Sequence, residues 1–159
     1  MSRPLVLTSR GPGETRRLGA RLGRLLRPGD VVLLSGELGA GKAVFVQGIA
    51  RGLAFQGSVS SKSFVLLGEY PGRITLYHAD LYRLEAPEQA IDLALDEVSA
   101  GGVLVVEWPE RGEGIFPPDH LLVRFAVSGE RARTLTFEAA GPRSADLTRA
   151  FTTKTKAGL

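Results

Sequence analysis

Hydrophobic and polar positions divide the chain into segments with two kinds of spacing. Short, nearly continuous apolar runs at residues 31–35 and 103–107 predict strands buried on both faces, as in a parallel sheet. Apolar residues repeated every three or four positions predict helices at residues 16–26 and 42–53. A further helix is predicted from Pro87, a residue favoured in a first helical turn, to about residue 99.

Turn residues separate two further pairs of strands. Pro71-Gly72 lies between the segments 65–70 and 74–78, and Ser128-Gly129-Glu130 lies between 121–127 and 134–139. Both arrangements predict β-hairpins. Strands that alternate with helices, together with these hairpins, favour an α/β fold with a mixed sheet.

The segment between the strand at 31–35 and the helix at 42–53 carries the strongest chemical signal. Gly36 is followed, after four intervening residues, by Gly41-Lys42, the spacing of a phosphate-binding loop or P-loop. Glycines allow the backbone to approach phosphate oxygens closely, while successive N–H groups and the positive end of the helix dipole attract the anion. Glycine spacing alone is weak evidence, but the order strand, loop, lysine, helix predicts nucleotide binding, with Lys42 reaching the β- and γ-phosphates.

One position departs from the P-loop pattern. The residue after the lysine is normally Ser or Thr, whose hydroxyl binds Mg²⁺, and here it is Ala43. A methyl group is not a metal ligand. Mg²⁺ usually keeps several waters and uses one or two carboxylates plus the phosphates. We therefore still expect magnesium, held either with a water in that place or by fewer protein groups.

Two carboxylates follow predicted strands. Glu107 ends the apolar run at 103–107, where P-loop proteins hold magnesium through its water shell. Asp80 lies just past the strand at 74–78. His78 is either a ligand or base, or a packing or hydrogen-bonding histidine, and the second interpretation is favoured because two histidines in the chain make no metal cluster.

Composition indicates the cellular location of the protein and excludes some kinds of partner. The absence of Cys excludes disulfide-linked partners and thiolate metal sites and fits a reducing compartment. No apolar run is long enough to cross a bilayer and no secretory leader is evident, so we expect a cytoplasmic protein without membrane contact. The net charge is +3. Arg17, Arg21 and Arg24 share one face of the first helix, which is either a solvated face or a contact surface for RNA or an acidic partner.

Three segments together resemble the TsaE (YjeE) family. They are residues 36–42 (Gly-Glu-Leu-Gly-Ala-Gly-Lys), 77–83 (Tyr-His-Ala-Asp-Leu-Tyr-Arg) and 106–110 (Val-Glu-Trp-Pro-Glu). The first is shared with many proteins, whereas its combination with His-x-Asp-x-Tyr-Arg and Glu-Trp is specific. The similarity extends from about residue 8 to residue 139.

This resemblance implies an ATPase that is required in bacteria to make threonylcarbamoyladenosine in tRNA, next to the anticodon. TsaE proteins do not make the modification themselves. They act on a complex of TsaD, which transfers the threonylcarbamoyl group, and TsaB, its scaffold, so tRNA is reached only through that complex. The cofactors implied are ATP and Mg²⁺.

The resemblance also assigns residues. Glu107 and Asp80 become the catalytic and magnesium-binding carboxylates. Trp108 is either a core tryptophan, since large aromatic residues are usually mostly buried, or a contact near the nucleotide that TsaB or TsaD can read. The predicted nucleotide-binding residues are Gly36, Leu38, Gly39, Ala40, Gly41, Lys42, Ala43, Glu14, Thr15 and Arg131. The predicted switch residues are Ser60, Ser61, Lys62 and Ser63; residues 61–64 (Ser-Lys-Ser-Phe) align with a family element that reads Ser-Pro-Thr-Phe.

Two departures leave alternatives open. Lys62 replaces the proline of the switch element, and Ala43 replaces the threonine after the loop lysine. Both lie where the resemblance places the γ-phosphate and its metal, so they bear on the rate of hydrolysis more than on nucleotide binding. The alternatives are a nucleotide-dependent interaction module that hardly hydrolyses ATP and, less favoured because no separate lid segment is evident, a small-molecule kinase.

Pattern and resemblance together predict a three-layer, P-loop NTPase-like α/β fold. Its central sheet is mixed and mostly parallel, with helices on both faces and a C-terminal antiparallel hairpin. Residues 1–140 are predicted to form this single domain. Residues 141–159 are predicted to form a loosely ordered C-terminal tail.

Overall fold

The computed structural model describes residues 3–57, 59, 67–84, 86, 88–92, 94–112 and 114–156. Within these ranges the strands are β1 (Leu5–Ser9), β2 (Val31–Ser35), β3 (Leu67–Tyr70), β4 (Leu76–Asp80), β5 (Val103–Glu107), β6 (Leu121–Val127) and β7 (Arg133–Ala139). The helices are α1 (Pro12–Leu25), α2 (Lys42–Gly52), α3 (Glu88–Asp92), α4 (Leu95–Val98) and α5 (Pro142–Lys156). A short 3-10 helix, Pro109–Gly112, follows β5.

The strands form one mixed sheet in the order β1-β7-β6-β2-β5-β4-β3. Its centre is parallel, because β2 pairs in parallel with both β5 and β6, and β5 pairs in parallel with β4. The outer pairs are antiparallel and include both predicted hairpins, β3–β4 and β6–β7. The predicted α/β fold with a mixed sheet is confirmed. Because β2, β4 and β5 run in the same direction, their carboxyl ends meet at one edge of the sheet.

A hydrophobic core lies on each face of the sheet. On one face, α1, α2 and α5 contribute residues such as Leu22, Phe45 and Phe151, all 0% exposed. On the other face, Leu95 of α4 packs with Val106 of β5, and the chain after β5 covers them. Helices therefore lie on both faces, as predicted.

Helices α1 and α2 touch backbone to backbone through glycines. A Cβ atom on Gly48 would lie 2.1 Å from the carbonyl oxygen of Arg16, and one on Gly52 would lie 2.2 Å from that of Ala20. From α1, a Cβ on Gly19 would lie 2.3 Å from the carbonyl oxygen of Phe45. Only glycine permits this separation, so the contact fixes α2 against α1.

The prediction of a loosely ordered tail from residue 141 is wrong for the described part of that segment, which forms α5. Leu147 and Phe151, one turn apart, are 2% and 0% exposed and belong to the same core as α1 and β7. The carboxylate of Asp119 accepts hydrogen bonds from the N–H groups of Arg143 and Ser144, at 2.7 and 3.0 Å. The helix is thus held by core packing and by a cap supplied from outside it.

The predicted helix from Pro87 to residue 99 is interrupted. Ala94 adopts the left-handed backbone region, with φ of 48°, and separates α3 from α4. The break turns the chain so that Leu95 is buried at 5% exposure in the second core. Tertiary packing therefore overrides a helical pattern that contains no glycine or proline between residues 88 and 99.

Candidate functional site

Residues 36–42, called here the glycine loop, join the end of β2 to the start of α2. Gly36, Gly39 and Gly41 all have positive φ, at 149°, 80° and 102°. This backbone region favours glycine. At Gly36 a Cβ atom would also lie 2.8 Å from the carbonyl oxygen of Phe125 on β6. The glycines predicted from the sequence are therefore required by the path of the chain.

The backbone of the glycine loop suits an anion. Gly41 is the N-cap of α2, and the first helical hydrogen bond runs from the N–H of Phe45 to the Gly41 carbonyl. Among the described residues, the N–H groups of Gly39, Gly41 and Lys42 donate no hydrogen bond to the backbone. Free N–H groups at the positive end of a helix dipole form a phosphate-binding cradle.

The side chain of Lys42 is enclosed within the site and is 4% exposed. Its ammonium donates a hydrogen bond to the Gly36 carbonyl at 2.5 Å and lies over the ring of Trp108, 3.8 Å from the centroid. Burial lowers the pKa of the Lys42 ammonium, while the negative charges of Glu107, Glu110 and Asp80 act in the opposite direction. A buried cation therefore stands between the glycine loop and a group of carboxylates.

Two of these carboxylates, Asp80 and Glu107, are neighbours at the carboxyl edge of the sheet. Parallel pairing of β4 with β5 places Asp80 directly opposite Glu107. Glu107 is 7% exposed, and Asp80 accepts a hydrogen bond from the N–H of Tyr82 at 3.0 Å. No cluster of three or more metal-ligating side chains occurs in the described part of the chain. Two carboxylates beside the glycine loop nevertheless fit Mg²⁺, which usually takes its remaining ligands from phosphate and water.

His78 lies one pleat before Asp80 on β4 and contacts Glu107. The distance from His78 Nε2 to Glu107 Oε2 is 2.7 Å, and the two side chains are 12% and 10% exposed. His78 is thus a hydrogen-bonding histidine, which is one of the two roles left open by the sequence. Its partner on the neighbouring strand was not predicted.

A cavity of about 240 Å³ opens beside the glycine loop, between α1 and the β6–β7 turn. Thr15 and Arg131, both predicted nucleotide contacts, line it together with Gly39 and Gly41. Arg133 also lines it and donates a hydrogen bond to the Gly39 carbonyl at 3.2 Å. Sequence reasoning missed Arg133, because nothing in the local pattern distinguishes it from Arg131, two residues before it.

Glu14 and Thr15 have different surroundings, although they are adjacent on α1. Thr15 is 2% exposed, and its hydroxyl shares a hydrogen bond of 2.6 Å with that of Ser9. Glu14 accepts a hydrogen bond from the N–H of Arg10 at 3.3 Å and is not among the residues that line the cavity. Thr15 is therefore the better placed of the two for a ligand beside the glycine loop.

Trp108 directly follows Glu107 and is half-buried. Its backbone has φ of 59°, a region that residues other than glycine seldom adopt and that clusters at functional sites. Trp108 packs against the core that contains Val106, and its ring contacts Tyr82 at a centroid distance of 4.8 Å as well as Lys42. Trp108 thus packs against the core and also lies beside the ammonium of Lys42.

The remaining predicted residues divide into two groups. Leu38, at the tip of the glycine loop, is 67% exposed, Ala40 is 1% exposed, and Ala43 presents its methyl group on the exposed side of the first turn of α2. The predicted switch residues Ser60, Ser61, Lys62 and Ser63 lie outside the described residues.

Comparison with known proteins identifies the family. The model of the family described as threonylcarbamoyl adenosine biosynthesis protein TsaE matches residues 9–135. The chain is 43% identical over 129 residues to the tRNA threonylcarbamoyladenosine biosynthesis protein TsaE of Treponema pallidum, covering 80% of this chain and 96% of that protein. It is 40% identical over 134 residues to the protein of the same name from Bacillus subtilis, covering 83% and 84%.

A solved structure agrees with this result. The crystal structure of Bacillus subtilis YdiB superposes with a TM-score of 0.82 at 33% identity, covering 98% of both chains. The chain belongs to the TsaE family, whose members act in the biosynthesis of threonylcarbamoyladenosine in tRNA. In the part of the chain that the structure describes, no helix is both long and apolar enough to span a membrane.

Proposed function

We propose that this protein binds ATP and Mg²⁺ at the glycine loop, hydrolyses ATP slowly, and uses that cycle to reset the TsaD–TsaB complex in the cytoplasm. The observation that carries the proposal is the buried ammonium of Lys42, hydrogen-bonded within the glycine loop and close enough to Glu107 and Asp80 to be stabilised by their charge. Membership of the TsaE family supports the role in tRNA modification.

In this mechanism the backbone of the glycine loop binds the phosphates, and the side chains around it act on the phosphate charge, the magnesium and the attacking water. The free N–H groups of the glycine loop and the start of α2 hold the phosphates, and Lys42 leaves the Gly36 carbonyl to neutralise phosphate charge. Glu107 and Asp80 would hold Mg²⁺ through its water shell, and Glu107 would accept the proton of the attacking water. When bound, Mg²⁺ neutralises the charge that develops on the phosphate oxygens during transfer.

The cavity beside the glycine loop supplies the rest of the nucleotide site. Its wall combines buried Thr15 with the cationic side chains of Arg131 and Arg133. Because Arg133 is tied to the Gly39 carbonyl, a ligand in the cavity and a phosphate in the glycine loop share one rigid support. We assign this cavity to the ribose and base of ATP.

One observation favours the second candidate, a nucleotide-dependent interaction module with little hydrolysis. Ala43 occupies the position from which a hydroxyl normally binds Mg²⁺ and offers only a methyl group. Loss of that ligand weakens charge stabilisation in the transition state more than it weakens ground-state binding by the backbone. In such a module ATP binding controls the association with TsaD–TsaB, and hydrolysis is incidental.

Removing Lys42 tests nucleotide binding. Lys42→Ala takes a cation from a site filled by phosphate charge, so ATP affinity should fall at least about tenfold, or about 1.4 kcal/mol. Isothermal titration of the wild type and the variant measures the change. Arg51→Ala is a matched control, because it removes a positive charge from the exposed last turn of the same helix. Unchanged affinity in Lys42→Ala would contradict the proposed site.

Hydrolysis is tested separately from binding. Single-turnover hydrolysis of ATP is measured with this chain alone and again after addition of TsaB and TsaD. We expect a slow rate that rises when both partners are present. Tight ATP binding with no hydrolysis in either condition would instead support the interaction module.

A further inference from the structure

We infer that His78 is a positioning residue, which holds the Glu107 carboxylate in the orientation that magnesium and the attacking water require. The inference rests on the proposed function, because it assigns a role within the same site. It is carried by the contact between His78 Nε2 and Glu107 Oε2, 2.7 Å apart across two neighbouring strands. His78 itself touches neither phosphate nor metal in this scheme.

The direction of this hydrogen bond follows from its partners. An ionised carboxylate can only accept hydrogen bonds, so Nε2 of the imidazole carries the proton and donates it. Bonds to an ionised acceptor are stronger than neutral ones. Because the two side chains are only 12% and 10% exposed, water competes little for either partner. His78 therefore restricts the Glu107 side chain to one orientation.

The bond to His78 occupies only one of the two carboxylate oxygens of Glu107. Oε2 accepts the proton from His78, while within the described ranges no hydrogen bond reaches Oε1. Lys42 acts on Glu107 through charge, without an ion pair between them in the described structure. Glu107 therefore keeps one oxygen for the water shell of Mg²⁺ while the other is anchored.

The sheet holds the backbone of both residues in place. β4 and β5 are paired in parallel, with His78 opposite Val105 and Asp80 opposite Glu107. The rotation of the Glu107 side chain is then the main remaining freedom at the carboxylate, and the bond from His78 removes it. Supporting hydrogen bonds of this kind preorganise a site on rigid elements.

The test compares two substitutions of His78. In His78→Gln the side-chain amide can still donate to Glu107, whereas His78→Leu has a similar bulk and no donor. For His78→Leu we expect ATP affinity without magnesium to stay within about twofold of wild type. We expect the gain in affinity on adding magnesium, and the single-turnover rate with TsaD and TsaB, each to fall about tenfold. His78→Gln should recover most of both losses.

A spectroscopic measurement tests the hydrogen bond itself. The chain has two histidines, so the imidazole ¹⁵N signals of the full-length protein are assigned directly by comparison with His78→Gln. We expect the proton of His78 on Nε2, in slow exchange with water. In Glu107→Ala that exchange should become fast, and in this background His78→Leu should have no further effect on magnesium-dependent ATP binding.

Either of two results would overturn the inference: a His78 ring that carries no proton on Nε2, or equal losses in His78→Gln and His78→Leu while both variants fold. Failure of the proposed function looks different. Wild-type protein would then show no ATP binding, or would bind ATP without hydrolysing it, and the exchange of the Nε2 proton would still decide the role of His78 toward Glu107.

Discussion

The contact between α1 and α2 makes Gly48 the position at which one methyl group should be most damaging. A Cβ atom there would lie 2.1 Å from the carbonyl oxygen of Arg16 and 2.9 Å from the N–H nitrogen of Ala20. Both are backbone atoms of a helix, so neither can rotate away. Relief requires the two helices to separate by about 1 Å or more, since non-bonded heavy atoms pack best at about 3.5–4.0 Å.

Separation of the helices would also loosen the core beneath them, where Leu22 and Ile49 are fully buried. Overpacking typically costs about 1–3 kcal/mol and sometimes more. Because the clash is with backbone, we expect the upper end of that range. Replacing a helical glycine by alanine returns about 1 kcal/mol of helix propensity. Gly48→Ala should therefore lower the free energy of unfolding by about 2 kcal/mol, or the melting temperature by about 4–8 °C.

Urea unfolding followed by circular dichroism measures this change, with Gly13→Ala as the matched control. Gly13 is also helical, but a Cβ atom there would meet only the Arg17 guanidinium, at 3.6 Å. Gly13→Ala should leave the free energy of unfolding unchanged or raise it. A Gly48→Ala protein within about 0.5 kcal/mol of wild type, which is the usual range for neutral surface substitutions, would refute the reasoning.

Three further predictions concern the site and the α5 helix. Ala43→Thr restores a hydroxyl that can bind magnesium, so it should raise the rate of ATP hydrolysis about tenfold, or about 1.4 kcal/mol of barrier, with a smaller effect on ATP affinity. No response of the rate across a magnesium series would contradict this prediction. A loss of rate in Lys62→Pro would indicate that Lys62 supplies the positive charge instead. Trp108→Ala should weaken binding to TsaD–TsaB about tenfold or more in pull-down or titration without loss of circular dichroism signal, whereas an unfolded variant would show that Trp108 serves the core. Burial would raise the pKa of Asp119, but hydrogen bonds from Ser144 and Arg143 outweigh it and hold that pKa below its usual 3.8. The stability advantage of wild type over Asp119→Ala should therefore be complete well above pH 4 and disappear as the pH falls below 3.8. An advantage that persists in strong acid would show that the ionised Asp119 carboxylate does not stabilise the start of α5.

The sequence alone was sufficient to predict those features whose determining interactions are local in the chain. The glycine loop could be predicted because Gly36, Gly39 and Gly41 act through their own backbone angles. The strand and the helix on either side of it can be recognised from the spacing of their apolar residues. The run that ends at Glu107 is buried on both faces, and such runs are continuous in sequence. Family membership also followed from short segments, because each carries its chemistry within a few residues.

The tertiary structure decided what depends on distant parts of the chain. Asp80 and Glu107 become neighbours only because β4 pairs with β5, and neither strand specifies its neighbour. The same pairing brings His78 to Glu107, and the strand end places the Trp108 ring against the ammonium of Lys42. α5 was missed for a related reason: Leu147 and Phe151 are isolated among polar residues, so their helix is stabilised by packing into the core shared with α1 and β7.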